Sequence, residues 1–95
     1  MILELITPEA KIFSGEIESL KLPGLDGSFQ ILKNHAPIIS ALNKGEVVFE
    51  KTSIYEEDDE INSKLQVANN KKTVSFVING GVVEMQHNKI ILLAE

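Results

Sequence analysis

Turns recur roughly every 6–12 residues along this chain, and no stretch of ten or more residues between them holds an apolar period of 3.6. A helix must carry such a stripe to bury one face, whereas a strand needs only alternation. The chain is therefore restricted to strands. Ile2 to Ile6 is the first segment. Within Ile12 to Leu22, Ile17-Glu18-Ser19-Leu20-Lys21-Leu22 places Leu20 and Leu22 on one face and Ser19 and Lys21 on the other. Gly15 interrupts that run and predicts a bulge or bend there. Gly24-Leu25-Asp26-Gly27 is a strong turn signal, and Ser28 to Ile31 follows as a short strand.

The remainder reads the same way. Ile38 to Leu42 and Glu46 to Glu50 are strands separated by the turn Asn43-Lys44-Gly45. Thr73 to Ile78, Val82 to Gln86 and Lys89 to Leu93 are joined by turns at Asn79-Gly80-Gly81 and His87-Asn88, which predicts two antiparallel hairpins joined end to end. Many short strands at this spacing imply a flattened β-sandwich or barrel.

A chain of 95 residues makes one domain, residues 1–95, near the lower limit for a self-sufficient core. The absence of cysteine removes disulfides and thiolate metal sites, and fits a reducing compartment. The start, Met1-Ile2-Leu3-Glu4-Leu5, lacks the basic residues and long apolar run of a secretory signal. No apolar run approaches the ~18–20 residues that span a bilayer. Net charge is −5, and every base is lysine. Without arginine the bidentate reading of phosphates and base edges is missing, which argues against nucleic acid; the acidic balance argues against an anionic membrane surface.

Five consecutive acids, Glu56-Glu57-Asp58-Asp59-Glu60, break the strand pattern. Adjacent like charges resist packing, so the reading is an exposed, mobile loop; the spacing fits no calcium loop. Residues for catalysis are few. His35 and His87 are the only histidines, and neither a nucleophile elbow, a phosphate loop nor a zinc-helix motif occurs. No catalytic, cofactor or metal residue is therefore assigned. His35, in Lys33-Asn34-His35-Ala36-Pro37, has two readings that can hold together: its ring nitrogens fix the loop by bonding backbone, or its flat amphipathic ring meets a partner.

The phrase Thr7-Pro8-Glu9-Ala10-Lys11-Ile12-Phe13-Ser14-Gly15-Glu16-Ile17-Glu18-Ser19-Leu20 resembles the opening of the epsilon subunit of F-type ATP synthases, the polypeptide called delta in mitochondria. The stretch Leu22-Pro23-Gly24-Leu25-Asp26-Gly27-Ser28-Phe29-Gln30-Ile31-Leu32-Lys33-Asn34-His35-Ala36-Pro37 resembles that family's most recognisable passage. Ile78-Asn79-Gly80-Gly81-Val82-Val83-Glu84 is similar to its glycine-pair hairpin, and Ile90 to Ala94 to its last strand. The resemblance implies an antiparallel, ten-stranded flattened sandwich at the foot of the rotating central stalk, binding the gamma subunit and the membrane c-ring and performing no chemistry. Its membrane association would be indirect, at the cytoplasmic face of a bacterial inner membrane. The partner-binding residues it implies are Asp26, Ser28, His35, Ile38, Ile39, Ser40 and Leu42. The Pro23–Pro37 stretch would present a rigid shape, since Gly27 and Asn34 accept positive φ and Pro37 fixes the entry to the next strand.

Three departures from the family pattern alter that surface. Lys33-Asn34 replaces the usual Pro-Gly pair, Ser28 stands where an acid is common, and the Glu56–Glu60 loop is an insertion. Most bacterial relatives also continue into an inhibitory helical hairpin, and the expectation here is a short form without that helical domain. The alternative reading of the chain is a generic β-sandwich module that binds a protein or small ligand through its loops; a small enzyme is the third.

Overall fold

The strand alternation resolves into nine strands in a computed structural model that describes residues 1–95. They are β1 (Ile2–Ile6), β2 (Lys11–Gly24), β3 (Gly27–Leu32), β4 (Ile38–Leu42), β5 (Gly45–Lys51), β6 (Gln66–Val67), β7 (Thr73–Ile78), β8 (Gly81–Gln86) and β9 (Lys89–Ala94). Hydrogen-bonded neighbours run β1-β9-β8-β4-β2-β5-β7-β6, with β3 beside β2 and β1 also paired to β2. One layer is therefore β3-β2-β5-β7-β6 and the other β4-β8-β9-β1-β2, with the long β2 common to both.

Bulges let β2 serve two layers. Opposite β1 the register passes from Leu5↔Phe13 to Ile6↔Lys11, leaving Ile12 as an extra residue. Opposite β5 it passes from Ile17↔Lys51 to Ser19↔Glu50, leaving Glu18 extra. Each extra residue shifts the inward parity by one. Ile12 and Phe13 are consequently both buried, and Ile17 and Leu20 both face the core although three positions apart. Leu20 and Leu22 point inward while Ser19 and Lys21 do not. The sandwich thus has nine strands where ten are expected, the long β2 bending to serve both layers.

Three details differ from the sequence reading. Gly15 is a paired residue, opposite Leu3, and the bulges lie to either side of it; what it supplies is room, because a Cβ there would stand 3.0 Å from the ring of Phe13. The β1–β9 pairing is parallel in an otherwise antiparallel architecture. Finally, only β8 and β9 form the expected hairpin. β7 pairs with β5 and β6, so Asn79-Gly80 carries the chain from one layer to the other. Gly81 then lies so close to β9 that a Cβ would collide with the Leu93 carbonyl oxygen.

The core fills the space between layers with 22 buried apolar residues. Ile17, Leu20, Leu22, Ile31, Val47, Phe49, Val74 and Ile78 line one inner face; Leu3, Leu5, Val83, Met85, Ile90 and Leu92 line the other. Phe13 and Phe49 meet with ring centroids 4.5 Å apart and planes tilted by 48°, a favourable offset geometry.

The acidic segment is more structured than a free loop. Tyr55 and Leu65 are buried at either side of it, and the carboxylate of Asp59 accepts the backbone N–H of Glu56 at 2.8 Å. The Lys51 ammonium lies 3.3 Å from the centroid of the Tyr55 ring. Burial there pushes the Lys51 amine below its usual range, Asp59 opposing, and pushes the Tyr55 phenol above its own, with Asp59 adding to the effect. Glu56 to Glu60 themselves remain exposed. Deleting 56–60 is expected to leave partner binding within about twofold of wild type, since surface changes of this kind cost little; a pull-down in which the shortened chain loses its partners would make that loop a contact.

A candidate docking surface

The residues singled out in the sequence separate into two groups. The hairpin β2–β3 turns through Leu25 and Asp26, with Gly27 at φ 123°. Asp26, Ser28 and Ser40 gather around a surface notch of about 380 Å³ between that turn and β4. His35, Ile38 and Ile39 lie toward the far end of β3 and β4. The six residues of β3 (Gly27–Leu32) separate Asp26 and Ser28 from the His35 loop by a strand length of roughly 17–20 Å, whereas Ser40 and Ile39 are consecutive in β4 and link the two groups. Leu42 belongs to neither. It is 5% exposed and opposite Gly81, so its side chain is core and cannot meet a partner; a short apolar strand such as Ile38–Leu42 does not reveal by itself which parity faces inward.

The His35 loop is built from backbone geometry that the sequence announced. Asn34 takes the left-handed conformation at φ 67°, which asparagine tolerates better than other residues carrying a Cβ. The His35 N–H donates to the Leu32 carbonyl at 3.1 Å, closing a turn. The His35 ring nitrogen Nδ1 lies 2.7 Å from the neighbouring Ala36 carbonyl while the side chain stays exposed. The bracing reading of His35 fits this geometry, and the exposed ring leaves a face available to a partner. Asn34→Ala should cost about 1 kcal/mol through left-handed strain, read as a lowered urea midpoint at unchanged m-value.

Sequence reasoning missed the larger part of the surface. On the outward side of the β4-β8-β9-β1 layer, cross-strand partners run Ala41–Val82–Leu93–Ile6 in one row and Ile39–Glu84–Ile91–Glu4 in the next. Ile39 is 74% exposed, Leu93 51% and Val82 43%. Beside them Ile6, Pro8, Val82 and Leu93 border a mostly apolar depression of about 420 Å³. Glu4 at the edge is held between Lys11 at 3.2 Å and Lys89 at 3.8 Å. The outward side of the other layer is more polar, with Gln30, Lys21, Val48, Ser75 and Gln66 in one row and Leu32, Ser19, Glu50 and Thr73 in another. The first face is therefore the richer in apolar side chains, although it carries Glu84 and Glu4, and the second exposes Leu32 and Val77 among polar neighbours. A signal for this was present: Ile90 to Ala94 is apolar at every position, the pattern of a strand covered on both sides.

Another polar cluster lies at the opposite end from His35. Hydrogen bonds from the Glu9 backbone and the Thr7 hydroxyl, with Lys64 nearby, hold the Glu9 carboxyl below its usual range. These groups rim an open hollow of about 450 Å³ whose apolar lining is Phe76 and Val77. It contains none of the residues chosen from the sequence.

Comparison with known proteins agrees with the resemblance. Residues 1–58 match the family model of the ATP synthase delta/epsilon chain β-sandwich domain. An ATP synthase epsilon chain of Chlorobium limicola is 40% identical over 93 residues, covering 98% of this chain and 86% of that relative. Among solved structures, a chain of the Euglena gracilis mitochondrial ATP synthase, determined with OSCP, F1 and c-ring, superposes with TM-score 0.74 at 17% identity. It is matched over 99% of this chain and 49% of its own length. A chain from the central stalk and c-ring of Tetrahymena thermophila mitochondrial ATP synthase gives TM-score 0.70 at 18% identity, over 99% of this chain and 62% of its own. This chain thus spans about half to three-fifths of those two solved chains.

Proposed function

Since this chain belongs to the ATP synthase delta/epsilon-chain β-sandwich family, we propose that it is a non-catalytic connector in the rotor of an F-type ATP synthase, joining the gamma subunit to the c-ring. The observation that carries the reading is the asymmetry of the sandwich. A domain with one outer face richer in apolar side chains than the other is suited to stay fixed against a partner through that face. Ile39, Ala41, Val82, Leu93 and Ile6 would form the apolar centre of that contact and the Glu4–Lys11–Lys89 group its polar rim, the usual anatomy of a protein interface. The His35 loop lies next to this face and would extend it toward the c-ring.

The solved relatives come from assemblies that include the c-ring or central stalk, and the same location is proposed for this chain, peripheral on the cytoplasmic side of a bacterial inner membrane. Asp26 and Ser28 would face a neighbour at the other end of β3 from the His35 loop, with Ser40 beside Ile39 between them. A ligand-binding module would call for an enclosed pocket, and the hollows of this domain lie open at its surface. Co-purification is the test. Tagged protein expressed in its host should retain the gamma subunit and c-ring through detergent extraction and washing; repeated recovery without either would overturn the connector role.

A further inference from the structure

The Asn34 backbone N–H donates to the side-chain oxygen of Asn88 at 2.9 Å, and the Asn88 amide nitrogen donates back to the Asn34 side-chain oxygen at 3.2 Å. These residues are 54 apart in sequence. Asn88 and its neighbour His87 are both left-handed, at φ 59° and 54°, forming the tight turn between β8 and β9. The Asn88 carbonyl in turn accepts the Ile2 N–H at 2.9 Å. One asparagine therefore ties the β3–β4 loop, the β8–β9 turn and the start of β1 together. Because its amide acts as acceptor and donor toward the same residue, its orientation is fixed.

Charge singles out the same place. Across residues 32–38 and 86–90 there are two lysines and two histidines and no acid, in a chain of net charge −5. Lys89 reaches Glu4 at 3.8 Å, while Lys33 has no carboxylate within 4.0 Å. The acids on the adjoining part of β2 are engaged elsewhere, Glu16 with the Met1 ammonium at 3.6 Å and Glu18 with Lys72 at 3.9 Å.

We infer that the His35 loop and the β8–β9 turn form one docking platform, with Asn88 as its positioning residue, and that this platform takes a carboxylate-bearing segment of the rotor. The inference rests on the connector reading for the identity of its partner. Neither segment could present a fixed arrangement alone, since each is a short turn whose neighbours are exposed. Joined through Asn34 and Asn88, they hold His35, His87 and Lys33 on a common frame. Complementary charge then sets register and speeds encounter more than it adds raw affinity.

The test combines amide exchange with binding to a purified gamma–c-ring subcomplex. Asn88→Gly keeps the left-handed turn and removes the amide. It is expected to raise exchange at the Asn34 N–H about tenfold and to weaken binding about tenfold, through the loss of the two charge-neutral hydrogen bonds that hold the platform together. Its melting temperature should stay within a few degrees of wild type. Asn88→Asp keeps the acceptor for the Asn34 N–H but loses the return donor, so exchange at Asn34 should fall between, while its added negative charge should weaken binding to a carboxylate beyond Asn88→Gly. Lys33→Glu should weaken binding at low salt, and wild-type affinity should drop between about 50 and 300 mM salt as screening tightens. Undiminished binding by Asn88→Gly despite fast exchange at Asn34 would overturn the positioning role. Salt-independent binding, or tighter binding by Lys33→Glu, would overturn the carboxylate partner. An Asn34 amide unprotected in wild type would remove the bracket itself. Failure of wild type to bind the subcomplex at all would overturn the connector reading, with the exchange result still reporting on the bracket.

Discussion

Replacing Ile39 with aspartate should cut affinity for the gamma–c-ring subcomplex at least about a hundredfold while leaving the domain as stable as wild type. At 74% exposure the isoleucine contributes little to folding, and exposed substitutions usually stay within about 0.5 kcal/mol. At the centre of a dry contact the same change would bury an unpaired carboxylate. Leaving a charge uncompensated in that way costs about 3 kcal/mol or more, and about 2.7 kcal/mol already corresponds to a factor of a hundred in binding. Glu84, cross-strand from Ile39, would add like-charge repulsion. Titration of the variant against the subcomplex, with thermal melts in parallel, separates the two effects. Loss of binding together with a large fall in melting temperature would show that Ile39 supports the fold.

The second large effect is on stability. Gly81→Ala should destabilise the domain by about 3 kcal/mol or more, lowering the melting temperature by roughly 12–24 °C for a chain of this size. The added methyl would strike the Leu93 carbonyl oxygen, with Ala94 Cα also only 3.2 Å from it. Neither obstacle is a movable side chain. Relief requires β8 and β9 to separate where Gly81 pairs with Ala94, at the point where Leu42 also pairs with Gly81. Gly27→Ala provides the control: its φ of 123° is strained for alanine but nothing lies within 4 Å of the new methyl. That substitution should cost about 1–2 kcal/mol. Equal losses for the two variants would mean that conformational strain, and not the collision, is the reason glycine is required at position 81.

Much of this architecture could be read from the chain because local chemistry decides it. Leu20 and Leu22 alternate with Ser19 and Lys21, and they are inside and outside as that alternation requires. Asn34 occupies the left-handed position its residue type permits. What could not be read depends on contacts between distant segments. Nothing local to Asn79-Gly80-Gly81 distinguishes a hairpin from a crossing between layers; the difference lies in β7 finding β5. Gly15 looks like a bend in sequence, yet its partner is the ring of Phe13 folded over it. The resemblance names Leu42 beside Ile38 and Ile39, and the parity of β4 separates it from Ile39. Asn88 carried no local signal of importance, because its partner lies 54 residues away.

The docking face illustrates the same division. The His35 loop is recognisable as a motif, whereas Val82, Leu93 and Ile6 become one surface only when β8, β9 and β1 are set side by side. An apolar run such as Ile90 to Ala94 indicates that both sides of a strand avoid water, but not what covers the second side. The family supplies a candidate for that cover, and the sheet supplies the place.

The most direct test is a hydrogen-exchange footprint of this chain, free and within the assembled rotor. The account predicts that protection on assembly concentrates in two places: the apolar outer face of β4, β8, β9 and β1, and the joined segments 32–38 and 86–90. The polar outer face of β5 and β7 should exchange as in the free domain. Protection confined to β5, β7 and the 56–60 loop, with β8 and β9 unchanged, would contradict it.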